Sequence, residues 1–132
     1  MQIYVDGGVI NNGTEWRRSM HHKPWSYVSW ELRGNTSNCK GPISARKFHV
    51  TGEDVNLVEH KALVLGLMAV VGYREHIEIY TDSQTVYNNI NGGTCNEKYL
   101  PLRDDAIQRM STMDIRLVKV PRDTIEQVLG QW

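Results

Sequence analysis

Hydrophobic and polar residues alternate along the first third of the chain, as they do in half-buried strands. Gln2 to Val5 alternate in this way, and the run ends in Asp6, which two glycines follow. A loop by composition, Val9 to Lys23, leads to a segment of alternating aromatic and small polar residues from Pro24 to Arg33. Ser44 to Thr51 show a weaker alternation after a Gly-Pro turn. These segments predict three antiparallel strands in a meander.

The period changes to that of a helix from Val55 to about Tyr73. Apolar residues recur there every three or four positions, so a long helix should lie buried against the sheet, with Gly66 at a point of close packing. Strands and helices then alternate: a strand over Ile77 to Thr81, a short helix from Ser83 to about Ile90, an amphipathic helix from Tyr99 to Met110, a strand over Ile115 to Val120 and a terminal helix from Asp123 to Gln131. This order predicts an α/β fold with a mixed five-stranded sheet, three antiparallel strands then two parallel ones, flanked by helices.

Composition narrows the class of protein. The 132 residues suffice for one domain, and 15 basic residues balance 15 acidic ones, so any contact with nucleic acid must come from a local patch or from metal ions. Cys39 and Cys95 stand far apart and outside any CxxC motif, which argues against zinc and for thiols in a reducing compartment. No apolar run approaches the ~18 residues of a membrane span. We therefore expect a cytoplasmic protein without a leader or membrane segment, of open oligomeric state.

Three acids stand at positions that the predicted elements could bring together. Asp6 and Asp82 each follow a predicted strand, and Glu59 lies near the start of the apolar helix. A carboxylate there is costly to bury unless it is paired or bound to a cation. Each acid also has a simpler explanation, since Asp82 or Ser83 could merely cap a helix and Glu59 could pair with a lysine. Together, however, three carboxylates at one rim suit Mg²⁺ or Mn²⁺, and two such ions can hydrolyse a phosphodiester.

Three motifs carry a family resemblance over nearly the full chain. DGG at Asp6, VNLVEHKALVLGL at Val55 to Leu67 and YTDSQ at Tyr80 to Gln84 resemble, in order and spacing, the motifs of type 1 ribonuclease H. The resemblance implies one ribonuclease H-like domain over residues 1–132 and two Mg²⁺ or Mn²⁺ ions on the acids Asp6, Glu59 and Asp82. It also implies that Asn56 and Gln84 read the minor groove of an RNA/DNA hybrid, where 2′-hydroxyls mark the RNA strand. Further candidates for contact with nucleic acid are Gly7, Gly8 and Ser83.

The last motif of the family is degenerate here. Val120 to Asp123 match its start, but Ile125 stands where asparagine is usual and Leu129 stands where the family has a fourth acid. Glu126, one turn earlier, is the preferred substitute as a catalytic and metal-binding residue. Asp123 is the alternative, although its place directly after Pro121-Arg122 suits a helix cap.

The resemblance implies a metal-dependent endonuclease that hydrolyses the RNA strand of RNA/DNA hybrids and leaves 3′-hydroxyl and 5′-phosphate ends. An alternative is a catalytically weak or inactive relative that keeps the fold as a nucleic-acid-binding or protein-interaction module, which Leu129 and the zero net charge favour. A junction resolvase or DNA exonuclease on the same fold is a third hypothesis. Asn56 and Gln84 fit the recognition of a hybrid better.

Overall fold

The computed structural model describes residues 1–10, 25–34, 42–51, 54–92 and 94–130. The loop expected up to Lys23 falls outside this part of the chain from residue 11 onward. The described elements are the strands β1 (Gln2–Ile10), β2 (Trp25–Arg33), β3 (Pro42–Thr51), β4 (Ile77–Thr81) and β5 (Ile115–Lys119), the helices α1 (Val55–Ala69), α2 (Gln84–Ile90), α3 (Leu100–Ser111) and α4 (Arg122–Leu129), and a short 3-10 helix (Glu97–Tyr99).

The strands form one sheet in the order β3-β2-β1-β4-β5. β2 pairs antiparallel with both β1 and β3, whereas β4 pairs parallel with both β1 and β5. The α/β class, with a mixed sheet flanked by helices, is thus confirmed. β1 and β4 run in the same direction, and Tyr4 lies beside Tyr80. Asp6 and Asp82, each two residues further along the chain, therefore lie at the same rim of the sheet.

β1 is longer than its alternating residues indicated. The strand does not end at Asp6 but continues to Ile10, because β2 runs beside it over its whole length. Gly7 lies opposite Val28 and Gly8 lies opposite Tyr27 in this ladder. The glycines therefore belong to the sheet, and Asp6 stands inside a strand.

The long helix α1 covers one face of the sheet. Ile3 and Val5 of β1 and Ile79 of β4 point toward it and are almost completely buried with its apolar residues. α1 ends at Ala69, four residues earlier than the hydrophobic pattern indicated, because Gly72 takes a φ of +93° and turns the chain away. Val71, which the pattern placed in the helix, is consequently 60% exposed.

The terminal helix α4 lies on the opposite face. Its residue Arg122 reaches Asp6, which points away from Val5 because successive side chains in a strand alternate between faces. α4 begins at Arg122, one residue earlier than predicted, and ends at Leu129, where Gly130 takes a φ of +79°. Pro121 occupies the N-cap position, so the expectation that Asp123 caps this helix is wrong.

Other boundaries differ by one or two residues. β3 begins at Pro42 instead of Ser44, and β5 ends at Lys119 instead of Val120. Ser83 caps α2 without belonging to it, and α3 starts at Leu100 because a 3-10 turn capped by Asn96 precedes it. Cys95 carries a free thiol, and Cys39 lies outside the described residues. In the described segments, we find no helix long and apolar enough to cross a membrane.

Gly66 is the point of closest contact between α1 and the sheet. A Cβ atom added to it would collide with Cγ1 of Val5 and would touch the side chains of Ile3 and Ile79. The close packing expected of Gly66 is confirmed. A small residue here allows the helix to approach β1 along its length.

Gly66→Ala is expected to lower the free energy of unfolding by about 1–3 kcal/mol, the usual cost of overpacking, although alanine is the better helix former. Val5→Ala removes the methyl group that the new Cβ meets, so the cost of Gly66→Ala should fall in a Val5→Ala background. Chemical denaturation of the wild type, both single variants and the double variant measures this coupling. Equal costs of Gly66→Ala in the two backgrounds would contradict the contact.

Candidate active site

Asp6 and Asp82 converge at the rim of the sheet where β4 ends. Oδ1 of Asp6 and Oδ2 of Asp82 lie 2.8 and 2.9 Å from the same nitrogen, Nη1 of Arg122. The two oxygens are therefore under about 6 Å apart, since both lie within hydrogen-bond reach of one atom. The side chains are only 2% and 12% exposed, so both carboxylates are largely shielded from bulk water. The parallel pairing of β1 and β4 produces this convergence.

Glu59 joins them from the first turns of α1, and we call Asp6, Glu59 and Asp82 the acidic cluster. Gly7 makes this approach possible, because a Cβ atom there would stand 2.5 Å from the carbonyl oxygen of Val58 and 3.0 Å from Cα of Glu59. Neither backbone atom could move aside without shifting the helix. The missing side chain of Gly7 thus brings the backbone of α1 against β1 beside Asp6.

Asp6 and Glu59 bind their protons more tightly than free carboxyl groups do. Burial raises the pKa of Glu59 to about 7, the charges of Asp82 and Asp6 add to this effect, and a hydrogen bond from Ser83 opposes it. Burial also raises the pKa of Asp6, against the hydrogen bond from Arg122. Burial is the largest cause of both shifts and neighbouring carboxylates add to it, so a cation in the cluster would favour the charged forms of Asp6 and Glu59.

Tyr27 holds Asp6 in place from β2. Its hydroxyl donates a 2.9 Å hydrogen bond to Oδ2 of Asp6, the oxygen that Arg122 does not contact. Gly8, directly opposite, leaves room for the ring, since a Cβ atom there would come within 2.6 Å of a ring carbon. Burial and the charge of Asp6 raise the pKa of Tyr27 to about 12, so the hydroxyl stays a donor. Sequence analysis missed this residue, because its link to Asp6 depends on strand register.

Arg122 is the second residue that the sequence analysis did not identify as part of the site. Besides Nη1, which bridges Asp6 and Asp82, Nη2 donates to the Tyr27 hydroxyl at 3.3 Å and Nε donates to Oε1 of Glu126 at 3.1 Å. The sequence placed Arg122 in the motif that follows β5, at the start of a helix. It gave no other indication that this residue would contact the acids.

The face of α4 explains the degenerate last motif. Ile125 and Leu129, four residues apart, are 0% and 4% exposed and pack toward the sheet, while Arg122 and Glu126 lie on the side of the acidic cluster. Leu129 therefore fills the core at the position where the family has an acid. Glu126 reaches the site through Arg122, whereas Asp123 is exposed.

A buried hydrogen-bond network fixes the first turns of α1. His60 contacts the carbonyl oxygen of Asn56 through Nδ1 at 2.6 Å, so this nitrogen carries the proton, and Nε2 accepts from Asn89 of α2 at 3.1 Å. The imidazole stacks on Tyr99, whose hydroxyl donates to the helix cap Asp54. This network locks the start of α1, and with it the backbone of Asn56 and Glu59, against α2.

The candidates for contact with nucleic acid divide into two groups. Gln84 is exposed and Asn56 is half-buried. Gln84 follows Ser83 at the start of α2, and Asn56 lies in the first turn of α1, three residues before Glu59. Gly7, Gly8 and Ser83 are buried. The structure shows packing for the two glycines, and for Ser83 it shows a cap on Val86 and a bond to Glu59.

The donor chemistry of the acidic cluster fits hard divalent cations. The oxygens that the cluster offers are all carboxylate oxygens, which Mg²⁺ and Mn²⁺ prefer. Across the described part of the chain, no group of three histidine, cysteine or acidic side chains stands ready to hold a metal ion. The polar contacts of these acids include Arg122 on Asp6 and Asp82, and Ser83 on Glu59.

The raised pKa of Glu59 predicts a pH-dependent stability in metal-free buffer. Folded Glu59 keeps its proton up to pH about 7, whereas the unfolded residue loses it near 4.5, so the folded protein binds more protons in between. The free energy of unfolding should fall by roughly 2 kcal/mol as pH rises from 4.5 through 7, and Glu59→Gln should abolish this share. Urea unfolding in EDTA measures it, with Glu75→Gln on the exposed surface as control. Parallel pH profiles of wild type and Glu59→Gln would contradict the shift.

Comparison with known proteins agrees with this architecture. Residues 18–126 match the family described as reverse transcriptase-like. The structure is similar to ribonuclease H1 of the halophilic archaeon Halobacterium salinarum, with a TM-score of 0.76 and 24% identity over 96% of this chain and 89% of that one. It is also similar to LC11-RNase H1 from a compost metagenome, solved with an RNA/DNA hybrid, with a TM-score of 0.75 and 12% identity over 96% and 89% of the two chains.

A viral domain shares the fold as well. The ribonuclease H domain of prototype foamy virus superposes with a TM-score of 0.66 and 12% identity over 90% of this chain and 77% of that one. A search of curated protein sequences finds no significant match. The family match spans most of the chain, and the structural neighbours share its topology. The chain therefore belongs to the reverse transcriptase-like family and has a ribonuclease H-like fold.

Proposed function

We propose that the protein is a metal-dependent endonuclease that hydrolyses the RNA strand of RNA/DNA hybrids. The observation that carries this proposal is the acidic cluster, in which Asp6 of β1, Glu59 of α1 and Asp82 after β4 lie close enough for their charges to interact. The family match and the fold are those of ribonuclease H-like proteins. One neighbour, LC11-RNase H1, was solved with an RNA/DNA hybrid, which favours the same substrate here.

The proposed ligands of two Mg²⁺ or Mn²⁺ ions are Asp6, Glu59 and Asp82, with Glu126 from α4 as the fourth acid. When bound, the ions would activate a water and stabilise the leaving oxygen of the phosphodiester. Tyr27 holds Oδ2 of Asp6, whereas Oδ1 of Asp6 shares Nη1 of Arg122 with Asp82. Glu59, with a pKa of about 7, must lose its proton to act as a ligand, so metal binding should release protons near neutral pH.

Recognition of the hybrid falls to Asn56 and Gln84 in this proposal. Their amide groups lie in the first turns of α1 and α2, the two helices that start beside the acidic cluster. An amide both donates and accepts, so it can bond the 2′-hydroxyl and the base edges of a minor groove. Gln84 is exposed and bonded only to Asn88 among the contacts described, so it can turn toward a substrate. A cytoplasmic location for this reaction is our expectation from the widely spaced cysteines.

A second candidate function is a weak or inactive relative that binds nucleic acid or a protein. Two observations favour it: Leu129 is buried where the family has an acid, and Arg122 occupies two of the three carboxylates. The balanced net charge also provides no general attraction to phosphates. Cleavage separates this candidate from the enzyme.

A labelled RNA/DNA hybrid should be cleaved in its RNA strand in the presence of Mg²⁺ or Mn²⁺ and left intact in EDTA. Asp6→Asn, Glu59→Gln and Asp82→Asn should each lower the rate by orders of magnitude, about 10²-fold or more, because each removes a proposed metal ligand. Asp104→Asn, an exposed residue of α3, is the matched control and should cleave normally. Circular dichroism checks that all variants fold. Full activity of the three site variants would refute the proposed site.

The fourth acid has its own test. Glu126→Gln should reduce cleavage about tenfold or more, because Glu126 is the proposed fourth ligand and bonds Arg122, whereas Asp123→Asn should leave the rate unchanged. Leu129→Asp should lower the free energy of unfolding by about 3 kcal/mol or more without raising activity, since the residue is 4% exposed. Cleavage rates and urea unfolding of the three variants provide the comparison. A Leu129→Asp protein that is stable and more active would show that this position faces the metals.

A further inference from the structure

We infer that Arg122 is a tethered counter-ion that competes with divalent metal ions for Asp6 and Asp82, and that metal binding requires its guanidinium to leave the acidic cluster. The inference rests on the proposed function, because it assumes that metals bind these acids. It adds a residue from α4 that controls when they bind. Arg122 acts here on the ligands, as a positioning residue.

Competition follows from the atoms involved. Nη1 of Arg122 bonds Oδ1 of Asp6 at 2.8 Å and Oδ2 of Asp82 at 2.9 Å, and it thereby uses one oxygen of each acid. A cation shared by these two acids would sit between the same two oxygens. A guanidinium and a divalent ion cannot both occupy that space, since each requires contact with both carboxylates. Binding of one therefore weakens binding of the other.

The guanidinium is held by more than the two acids. Nη2 donates to the Tyr27 hydroxyl at 3.3 Å and Nε donates to Glu126 at 3.1 Å, so all three of its nitrogens have partners in the site. A lysine could not reproduce this set, because its ammonium is a single point charge on a flexible stem. The contact with Glu126 does not require Asp6 or Asp82. If Glu126 becomes the fourth ligand, this contact breaks together with those to Asp6 and Asp82.

The guanidinium can leave while the acids stay in place. The Arg122 side chain is 43% exposed, whereas those of Asp6 and Asp82 are 2% and 12% exposed. Arg122 is also the first residue of α4, where the partial positive charge of the helix end disfavours a cation. Rotation toward solvent therefore disturbs no core packing and relieves an unfavourable helix contact. The acids remain behind as a preformed pair of ligands.

An anionic substrate would shift this equilibrium. A phosphate near the rim bonds a guanidinium in two places and so draws Arg122 away from the carboxylates. The protein alone should then bind metal weakly, and protein with nucleic acid should bind it more tightly. If Arg122 occupies the acids about nine-tenths of the time, the apparent affinity for metal falls about tenfold.

The deciding experiment measures metal binding without any substrate. Titration calorimetry with MgCl₂ and MnCl₂ compares the wild type with Arg122→Gln, Arg122→Lys and the control Arg103→Gln, whose residue pairs with Asp104 on α3. Arg122→Gln should bind metal about tenfold more tightly than the wild type. Arg122→Lys should fall between the two, and Arg103→Gln should equal the wild type. The shift in melting temperature on adding Mg²⁺ should rank the proteins in the same order.

A second measurement uses the wild type alone and so does not depend on how the variants fold. The side-chain Nε resonance of Arg122 in a ¹⁵N spectrum should move during titration with MgCl₂, while that of Arg109, paired with Asp105 on α3, stays in place. Arg122→Lys identifies the resonance by its disappearance. A fixed Arg122 signal while metal binds would overturn the inference.

The outcomes also separate this inference from the proposed function. Arg122→Gln that binds metal no more tightly than the wild type, in a protein that cleaves hybrid, overturns the role of Arg122 and leaves the nuclease standing. Absence of metal binding in every variant, together with absence of cleavage, overturns both. Tighter binding by Arg122→Gln without cleavage by the wild type supports the counter-ion and favours the weak or inactive relative.

Discussion

The structure depends on the close approach of three carboxyl groups at one rim of the sheet. Asp6, Glu59 and Asp82 come from elements that are distant in sequence, and their mutual repulsion opposes the packing that assembles them. Hydrogen bonds from Tyr27, Ser83 and Arg122 offset part of this cost. The cluster is a candidate for metal ions, because a bound cation would offset the repulsion among its carboxylates.

The same contacts connect stability with the proposed activity. Gly7 and Gly8 cost chain entropy within β1, yet they admit the backbone of α1 on one face and the ring of Tyr27 on the other. Asp6 therefore lies inside β1, Asp82 lies directly after β4, and Glu59 lies in the fixed first turns of α1. These elements keep the acids in position. Arg122 differs, since it is half-exposed at a helix end. The structure thus places three acids beside one half-exposed cation, the arrangement on which the proposed competition with metal ions rests.

In α4, the residues of the motif did not by themselves indicate which role each side chain has in the fold. By its resemblance to the last motif of type 1 ribonuclease H, Leu129 stands where that family has an acid, and this suggested a lost ligand. In the fold Ile125 and Leu129 fill the core four residues apart, so the helix keeps its amphipathic pattern. Arg122 and Glu126 lie one turn apart on the adjoining stripe of the same helix, and Arg122 contacts the acidic cluster. The spacing of these residues indicated an amphipathic helix, but it did not indicate which of them would lie near the acids.

The sequence by itself determined the α/β class, the order of the elements and the three acids, because alternation, helical spacing and strand-end motifs are local properties of the chain. It also indicated that Gly66 is a packing point. Only the tertiary structure decided that β1 continues past Asp6, that α1 ends at Ala69, and that Tyr27 and Arg122 belong to the site. Strand register brings Tyr27 to Asp6, and the docking of α4 brings Arg122 across 116 positions of sequence. Such contacts depend on which faces meet, and no local pattern encodes that.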